Sequence, residues 1–241
     1  MSSSEIIGNM KTIGLIGGMS WESSLEYYRI INETVKERLG GLHSAKCIMY
    51  SVDFEQIEQL QHRGKWEELT DIMVQAAKQV ERGGADFVLI CTNTMHKMAD
   101  DVRNNIRIPL LHIADATAKR IKERGFEKVG LLGTRFTMEQ DFYKGRLMEE
   151  HGIDVVIPGD KERGTVHDVI YNELCLGKVM DASRVRFKGI IRSLVSNGAE
   201  GIILGCTEIP LLVEQEDVAV PLFDTTTIHA EAAVDLAIGE K

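Results

Sequence analysis

The chain lacks the features that announce several function classes. No apolar run in its 241 residues approaches the roughly 20 needed to span a bilayer, so no membrane segment is expected. Residues 1–10 carry neither the basic nor the apolar region of a signal peptide, and are expected to form a flexible tail. There is no excess of basic residues. The formal net charge is −9, which argues against nucleic acid as the main partner, because phosphate binding needs a basic face. A small anion is still allowed, since a few local donors can hold one. Cysteine is sparse: Cys47, Cys91, Cys175 and Cys206 form no C-x-x-C pair, and their wide spacing suggests neither a zinc site nor a disulfide framework. Free thiols in a cytoplasmic chain are the simplest reading. His112, His167 and His229 show no ligand spacing, so no metal is expected.

What is present is a near-repeat. Lys11-Thr-Ile-Gly-Leu-Ile-Gly17 reads like Lys128-Val-Gly-Leu-Leu-Gly133, and Gly84-Ala-Asp-Phe-Val-Leu-Ile-Cys-Thr92 reads like Gly198-Ala-Glu-Gly-Ile-Ile-Leu-Gly-Cys206. In this register Thr92 mirrors Cys206, and Cys91 mirrors Gly205.

The apolar runs are short: 12–16, 46–52, 87–91, 110–113, 129–132, 154–157, 201–204 and 220–223. Near-continuous Ile, Val and Leu predicts strands buried on both faces, hence parallel. Stretches of helical period lie between them. Leu25, Tyr28, Ile31 and Val35 predict one inward face, Ile72, Ala76 and Val80 a second, and Phe187, Ile190, Ile191 and Leu194 a third. Strand–helix alternation predicts an α/β protein of two similar, doubly wound parallel-sheet lobes. The lobes are expected at 11–110 and 111–226, related by a pseudo-twofold axis, with a last helix at about 227–241 able to pack back on the first.

Ligands of open parallel sheets lie beyond the carboxyl ends of the strands. Gly17-Gly18-Met19-Ser20, Thr92-Asn93-Thr94, Gly133-Thr134 and Cys206-Thr207-Glu208 all fall at such ends. A pseudo-twofold axis would bring Thr92 and Cys206 to face each other across one cleft. Pro210 suits a helix start after Cys206, and a thiol at a helix N-terminus has a lowered pKa; the alternative is a buried structural cysteine. Asn93 and Thr94 can cap the helix suggested by Met95, Met98 and Val102, or bind a ligand. The glycine-rich loop at 14–20 fails both nucleotide-loop spacings; it makes a tight turn, a carboxylate site, or both. His96 reads as a local hydrogen-bonding residue. Glu208 can orient an ammonium group or a neighbouring thiol, or cap its helix. Strand alternation turns Cys91 away from Thr92 and into packing.

Three motifs together, Gly-Leu-Ile-Gly-Gly-Met19-Ser-Trp-Glu-Ser, Asn93-Thr94-Met95-His96 and Gly205-Cys206-Thr207-Glu208, resemble the aspartate/glutamate racemase family of cofactor-independent amino-acid racemases. The resemblance covers Lys11 to the C-terminus. Ser51-Val-Asp-Phe-Glu, Leu111-His-Ile-Ala-Asp-Ala-Thr and Gly133-Thr-Arg-Phe-Thr-Met-Glu-Gln-Asp-Phe-Tyr143 resemble its bacterial broad-specificity or aspartate/glutamate-specific subgroup. The resemblance implies no cofactor, an amino-acid substrate and two opposed bases at the α-carbon. The family's second cysteine maps onto Cys206. Its first, in a Cys-Asn-Thr motif, is replaced here by Thr92. Substrate-contacting positions then map to Met19, Gln61, Thr92, Asn93, Thr94, Thr207 and Glu208.

A hydroxyl is a poor base beside a thiol, whose ordinary pKa is about 8.5. Unequal handling of the two enantiomers is therefore expected. Two other readings remain open: an arylmalonate-type decarboxylase using one cysteine, and a catalytically inert two-lobed amino-acid sensor. Arg63 and Lys178 are the loop-located cations that could meet a dicarboxylic side chain. A homodimer is the oligomer that base rates favour.

Overall fold

The computed structural model describes residues 10–239. The chain divides into two units, Met1–Ile113 with His229–Lys241, and Ala114–Ile228. Both junctions lie at helices, a few residues beyond the expected 110 and 226. Of the expected tail, residues 1–9 lie outside the described residues, whereas Met10 is buried in the core of the first unit.

The first unit runs β1 (Ile13–Gly17), α1 (Trp21–Leu39), β2 (Cys47–Ser51), α2 (Phe54–His62), α3 (Trp66–Arg82), β3 (Phe87–Ile90), a 3₁₀ turn (Thr94–Met98) and α4 (Ala99–Asn105). Its sheet is parallel, in the order β2-β1-β3, with Ile13 level with both Cys47 and Phe87. Successive strand side chains alternate faces, and the core divides accordingly. Ile16, Val88 and Ile90 pack with Met73, Ala76, Ala77 and Val80 of α3. Ile13, Leu15, Phe87, Leu89 and Cys91 pack on the other face with Tyr27, Ile31 and Val35 of α1. Ala230, Ala233, Val234 and Ala237 of the last helix join that second cluster. Helices therefore cover both faces. The expected strand at 110–113 is reduced to a single parallel bridge between Val88 and Leu110. Ile113 already begins a helix, leaving too few residues for a ladder.

The second unit holds α5 (Ile113–Glu123, of which Ile113 belongs to the first), β4 (Lys128–Gly133), α6 (Arg135–Glu139), α7 (Asp141–His151), β5 (Asp154–Val156), α8 (Asp160–Asn172), α9 (Asp181–Ser196), β6 (Gly201–Gly205) and β7 (Leu222–Asp224). The sheet is parallel, in the order β5-β4-β6-β7. Every residue of β6 is buried, and α9 turns Phe187, Ile190, Ile191 and Leu194 inward. The last helix, α10 (Thr225–Ile238), begins in this unit and ends in the first.

The inward face of α1 departs from expectation. Leu25 and Tyr28 are 53% and 50% exposed, and with Trp21 they form an outer stripe. The buried arc is Ser23, Ser24, Tyr27, Ile31 and Val35. The cause lies at the helix start. Ser24 Oγ accepts the Gly18 N–H at 2.7 Å and donates to the Ser20 carbonyl at 3.0 Å. Ser23 donates to the Cys91 carbonyl at 3.1 Å. Small hydroxyls with satisfied hydrogen bonds let the helix approach the sheet closely, and an apolar-periodicity count does not register them.

Gly17 and Gly18 make that approach feasible. A Cβ on Gly17 would fall 2.5 Å from Ser24 Oγ, and one on Gly18, whose φ is +89°, would fall 2.2 Å from the Val52 carbonyl oxygen. Gly40 also has positive φ (+72°), but a Cβ there meets nothing within 4 Å. Gly18→Ala is therefore expected to cost more than about 2 kcal/mol, and Gly40→Ala about 1 kcal/mol or less. Urea midpoints measure both; equal midpoints would contradict the close approach.

Candidate active site

Parallel strands present their carboxyl ends on one side of a sheet, and the sequence motifs gather there in each unit. In the first unit, Met19 and Ser20 follow β1 and Thr92-Asn93-Thr94 follows β3. Gln61, on the helix after β2, is buried and donates from Nε2 to Met95 Sδ at 3.2 Å, which ties it to the turn carrying Thr94. Met19 and Met95 share one buried cluster with Ile57. Thr92 is half-buried, whereas Asn93 and Thr94 are buried. The structure thus draws Met19, Gln61 and Thr92–Thr94 together within one unit. Asn93 makes no side-chain cap, and the segment after it is a 3₁₀ turn before it becomes a helix, unlike the simple N-capped helix expected.

His96, on that turn, has a second role besides packing. Its Nδ1 lies 2.8 Å from the Thr92 carbonyl oxygen, and its Nε2 lies 3.2 Å from the Ile113 amide nitrogen. The sequence suggested a local hydrogen bond. The distant one to Ile113 carries no sequence signal.

In the second unit, Thr134 caps α6 by accepting from the Thr137 amide, and Cys206-Thr207-Glu208 leaves β6. Cys206 and Thr207 are half-buried and Glu208 is buried. Cys206 Sγ donates to Glu208 Oε2 at 2.9 Å, and Thr207 Oγ1 donates to the same oxygen at 2.7 Å. Nearby, Thr225 Oγ1 at the start of α10 donates to the Leu204 carbonyl at 2.9 Å, fastening the end of β6, a contact between segments 21 residues apart that no sequence motif signals.

Two expectations for Cys206 are corrected. The segment after it is only a three-residue 3₁₀ turn, Ile209–Leu211, with Pro210 in its first turn. Such a turn has little aligned dipole to offer a thiolate. The thiol pKa is pushed well up rather than down, first because surrounding protein withholds water from the thiolate, then because the Glu208 carboxylate and Cys175 lie close. The sulfur is thus held as a thiol whose proton points at a carboxylate. Cys91 is different. It is fully buried among apolar neighbours, and burial raises its thiol strongly. Cys47 is raised to about 11 by burial. Arg63 and Lys178 are exposed.

Removing the negative charge at Glu208 should lower the Cys206 pKa, since that charge opposes the thiolate. Alkylation of Cys206 followed against pH, with Cys206→Ser subtracted as background, is expected to inflect above the ordinary thiol range. The inflection should move down in Glu208→Gln. An unmoved inflection would show that the carboxylate does not govern this thiol.

With this geometry in hand, comparison with known proteins is specific. The family model for Asp/Glu/hydantoin racemases matches residues 16–233. A crystal structure of a candidate Asp/Glu racemase from Yersinia pestis is 56% identical, covering 95% of this chain and 99% of its own at a TM-score of 0.89. An aspartate racemase homologue from Pyrococcus horikoshii is 40% identical over the same shares, at a TM-score of 0.82. A broad specificity amino-acid racemase of Bacillus subtilis is 23% identical over 168 residues, 70% of this chain and 72% of that protein. The chain belongs to the Asp/Glu/hydantoin racemase family of isomerases.

Proposed function

We propose that this protein is a cofactor-independent amino-acid racemase acting on aspartate, glutamate or a wider set of amino acids, with Cys206 and Thr92 as an unequal acid–base pair. The observation that carries the proposal is the hydrogen bond from Cys206 to buried Glu208. A half-buried thiol hydrogen-bonded to a buried carboxylate is a proton donor and acceptor placed where parallel sheets bind ligands. The Bacillus subtilis relative supports broad specificity, and the Yersinia pestis and Pyrococcus horikoshii structures support a dicarboxylic substrate.

In the proposed reaction, Cys206 gives its proton to Glu208 and the resulting thiolate removes the α-hydrogen of the bound amino acid. The electron pair left on carbon spreads into the substrate carboxylate, which is stabilised by fixed backbone donors. A proton then reaches the opposite face of the α-carbon from the Thr92 hydroxyl, or from a water that it positions. Thr92 is reprotonated from solvent, and Glu208 returns its proton there. In the reverse direction the Thr92 face must lose a proton. That is the harder half, because a threonine alkoxide is scarcely accessible at neutral pH. Met19, Gln61, Asn93, Thr94 and Thr207 hold the substrate. The final mixture stays equimolar, since enantiomers have equal free energy in water; only exchange rates and saturation differ. For a dicarboxylic substrate, Arg63 is the nearer cation in sequence to the Gln61 site, and its guanidinium makes no ion pair among the described residues.

Each enantiomer of an amino-acid panel, incubated separately in heavy water, reports the chemistry directly. One enantiomer is expected to exchange its α-hydrogen faster, and equal initial rates would contradict the unequal pair. Cys206→Ser should lower exchange by at least about 100-fold, Cys91→Ala should largely spare it, and Thr92→Cys should bring the two enantiomers closer. Carbon dioxide release from a malonate, without amino-acid exchange, would move the assignment to a decarboxylase.

A further inference from the structure

Three histidines of the first unit, His96, His112 and His229, cluster with Tyr27, and all four are buried. The ring centroids of His96 and His112 are 4.6 Å apart, and those of His96 and His229 are 5.7 Å apart. Two backbone hydrogen bonds fix the proton of His96. The Ile113 N–H can only donate, so His96 Nε2 must present a lone pair to it. The Thr92 carbonyl can only accept, so His96 Nδ1 must carry the hydrogen. His96 is thereby the neutral Nδ1–H tautomer, with both ring nitrogens committed to backbone. His229 differs: its Nε2–H donates to the Leu111 carbonyl at 3.0 Å, and its Nδ1 lies 2.9 Å from the Tyr27 hydroxyl oxygen.

What His96 holds is the peptide between Thr92 and Asn93. A trans peptide is planar, and its C=O and N–H point in opposite directions. With the Thr92 carbonyl drawn to His96, the Asn93 N–H is turned away from the imidazole. One contact therefore sets both the backbone that carries the Thr92 hydroxyl and the direction of a backbone donor. The other end of the imidazole is anchored at Ile113, the first residue of α5. An i−4 hydrogen bond alone would be ordinary local packing; His62 lies 3.1 Å from the Glu58 carbonyl in the same way. The anchor 17 residues further along the chain is what turns a local contact into a brace.

We propose that His96, locked as a neutral tautomer between the Ile113 N–H and the Thr92 carbonyl, is the positioning residue for the Thr92 side of the reaction. It exchanges no proton with substrate. The assignment rests on the racemase function proposed above, and it predicts a selective defect. Exchange that begins and ends at Cys206, returning deuterium with retained configuration, does not need the Thr92 face. Inversion does.

Two substitutions separate the ends of the brace. The Asn side-chain amide can place an N–H near the Nδ1 position, keeping the contact to Thr92. Gln reaches toward Ile113 and loses the Thr92 contact. His96→Gln is expected to slow inversion roughly 10- to 100-fold, the scale of a small misplacement of reacting groups, while retained exchange changes less than about 3-fold. His96→Asn should recover most of the inversion rate. Equal losses of inversion and retained exchange in both variants, or undiminished inversion in His96→Gln, would overturn the assignment. Nitrogen-15 correlation spectra of the wild-type imidazoles provide a readout that needs neither catalysis nor a stable variant. They should show His96 protonated at Nδ1 alone at neutral pH. An Nε2–H tautomer or an imidazolium would overturn the brace. If wild-type protein exchanges no amino acid at all, the racemase proposal fails, and the spectra still decide the tautomer.

Discussion

Parallel strand pairing is the constraint on which this protein's chemistry depends. Strands that run in one direction release their turns on one side of the sheet, so residues far apart in sequence converge without any long loop. In the first unit that gathers Met19, Thr92 and, through the helix after β2, Gln61. In the second it gathers Thr134, Cys206 and the start of α10. The close contact of Gly17 and Gly18 with Ser24 and Val52 serves the same end, because a helix start standing off the sheet would not bring Ser20 and Met19 to the strand ends.

Within that framework the strand-end clusters of the two units differ in chemical character. Cys206 and Glu208 form a couple in which burial and a neighbouring negative charge both keep the proton on sulfur. The Cys91 thiol is also raised, by burial first and by Cys47 second. In the proposed reaction the Glu208 carboxylate is the destination of the Cys206 proton. Thr92 has no such partner chemistry in its own side chain. Its backbone is held through its carbonyl by His96, whose other ring nitrogen meets the Ile113 N–H. In the proposed reaction the burden of proton abstraction falls on Cys206 and the burden of geometry on Thr92.

Much of this was legible from residue order. The Ile/Val/Leu runs bounded by glycine marked parallel strands, buried at β1, β3, β4 and β6. The expected burial on both faces fails at β2, β5 and β7, which are largely half-buried or exposed because they lie at sheet edges. The flaw in the internal repeat, Thr92 against Cys206, is the sequence feature from which the proposed asymmetry follows. Other features were misread for identifiable reasons. Leu25 and Tyr28 satisfy helical period, yet the serines at 23 and 24 take the inward arc, since close approach to the sheet favours small side chains over apolar ones. Pro210 suggested a helix start, but only a 3₁₀ turn forms there, and the dipole argument for a lowered Cys206 pKa lapsed with it.

The sequence by itself determined the fold class and the family motifs, and supplied the candidate groups for proton transfer, because these follow from short-range pattern and residue chemistry. Only tertiary structure decided how those groups behave. Whether Glu208 meets an ammonium group, a helix end or a thiol depends on a side-chain rotamer within a buried turn. Whether His96 is local packing or a brace depends on Ile113, brought to it by the path of the chain after β3. Proton affinity and hydrogen-bond direction are set by surroundings drawn from distant segments, and a linear order of residues does not contain those distances.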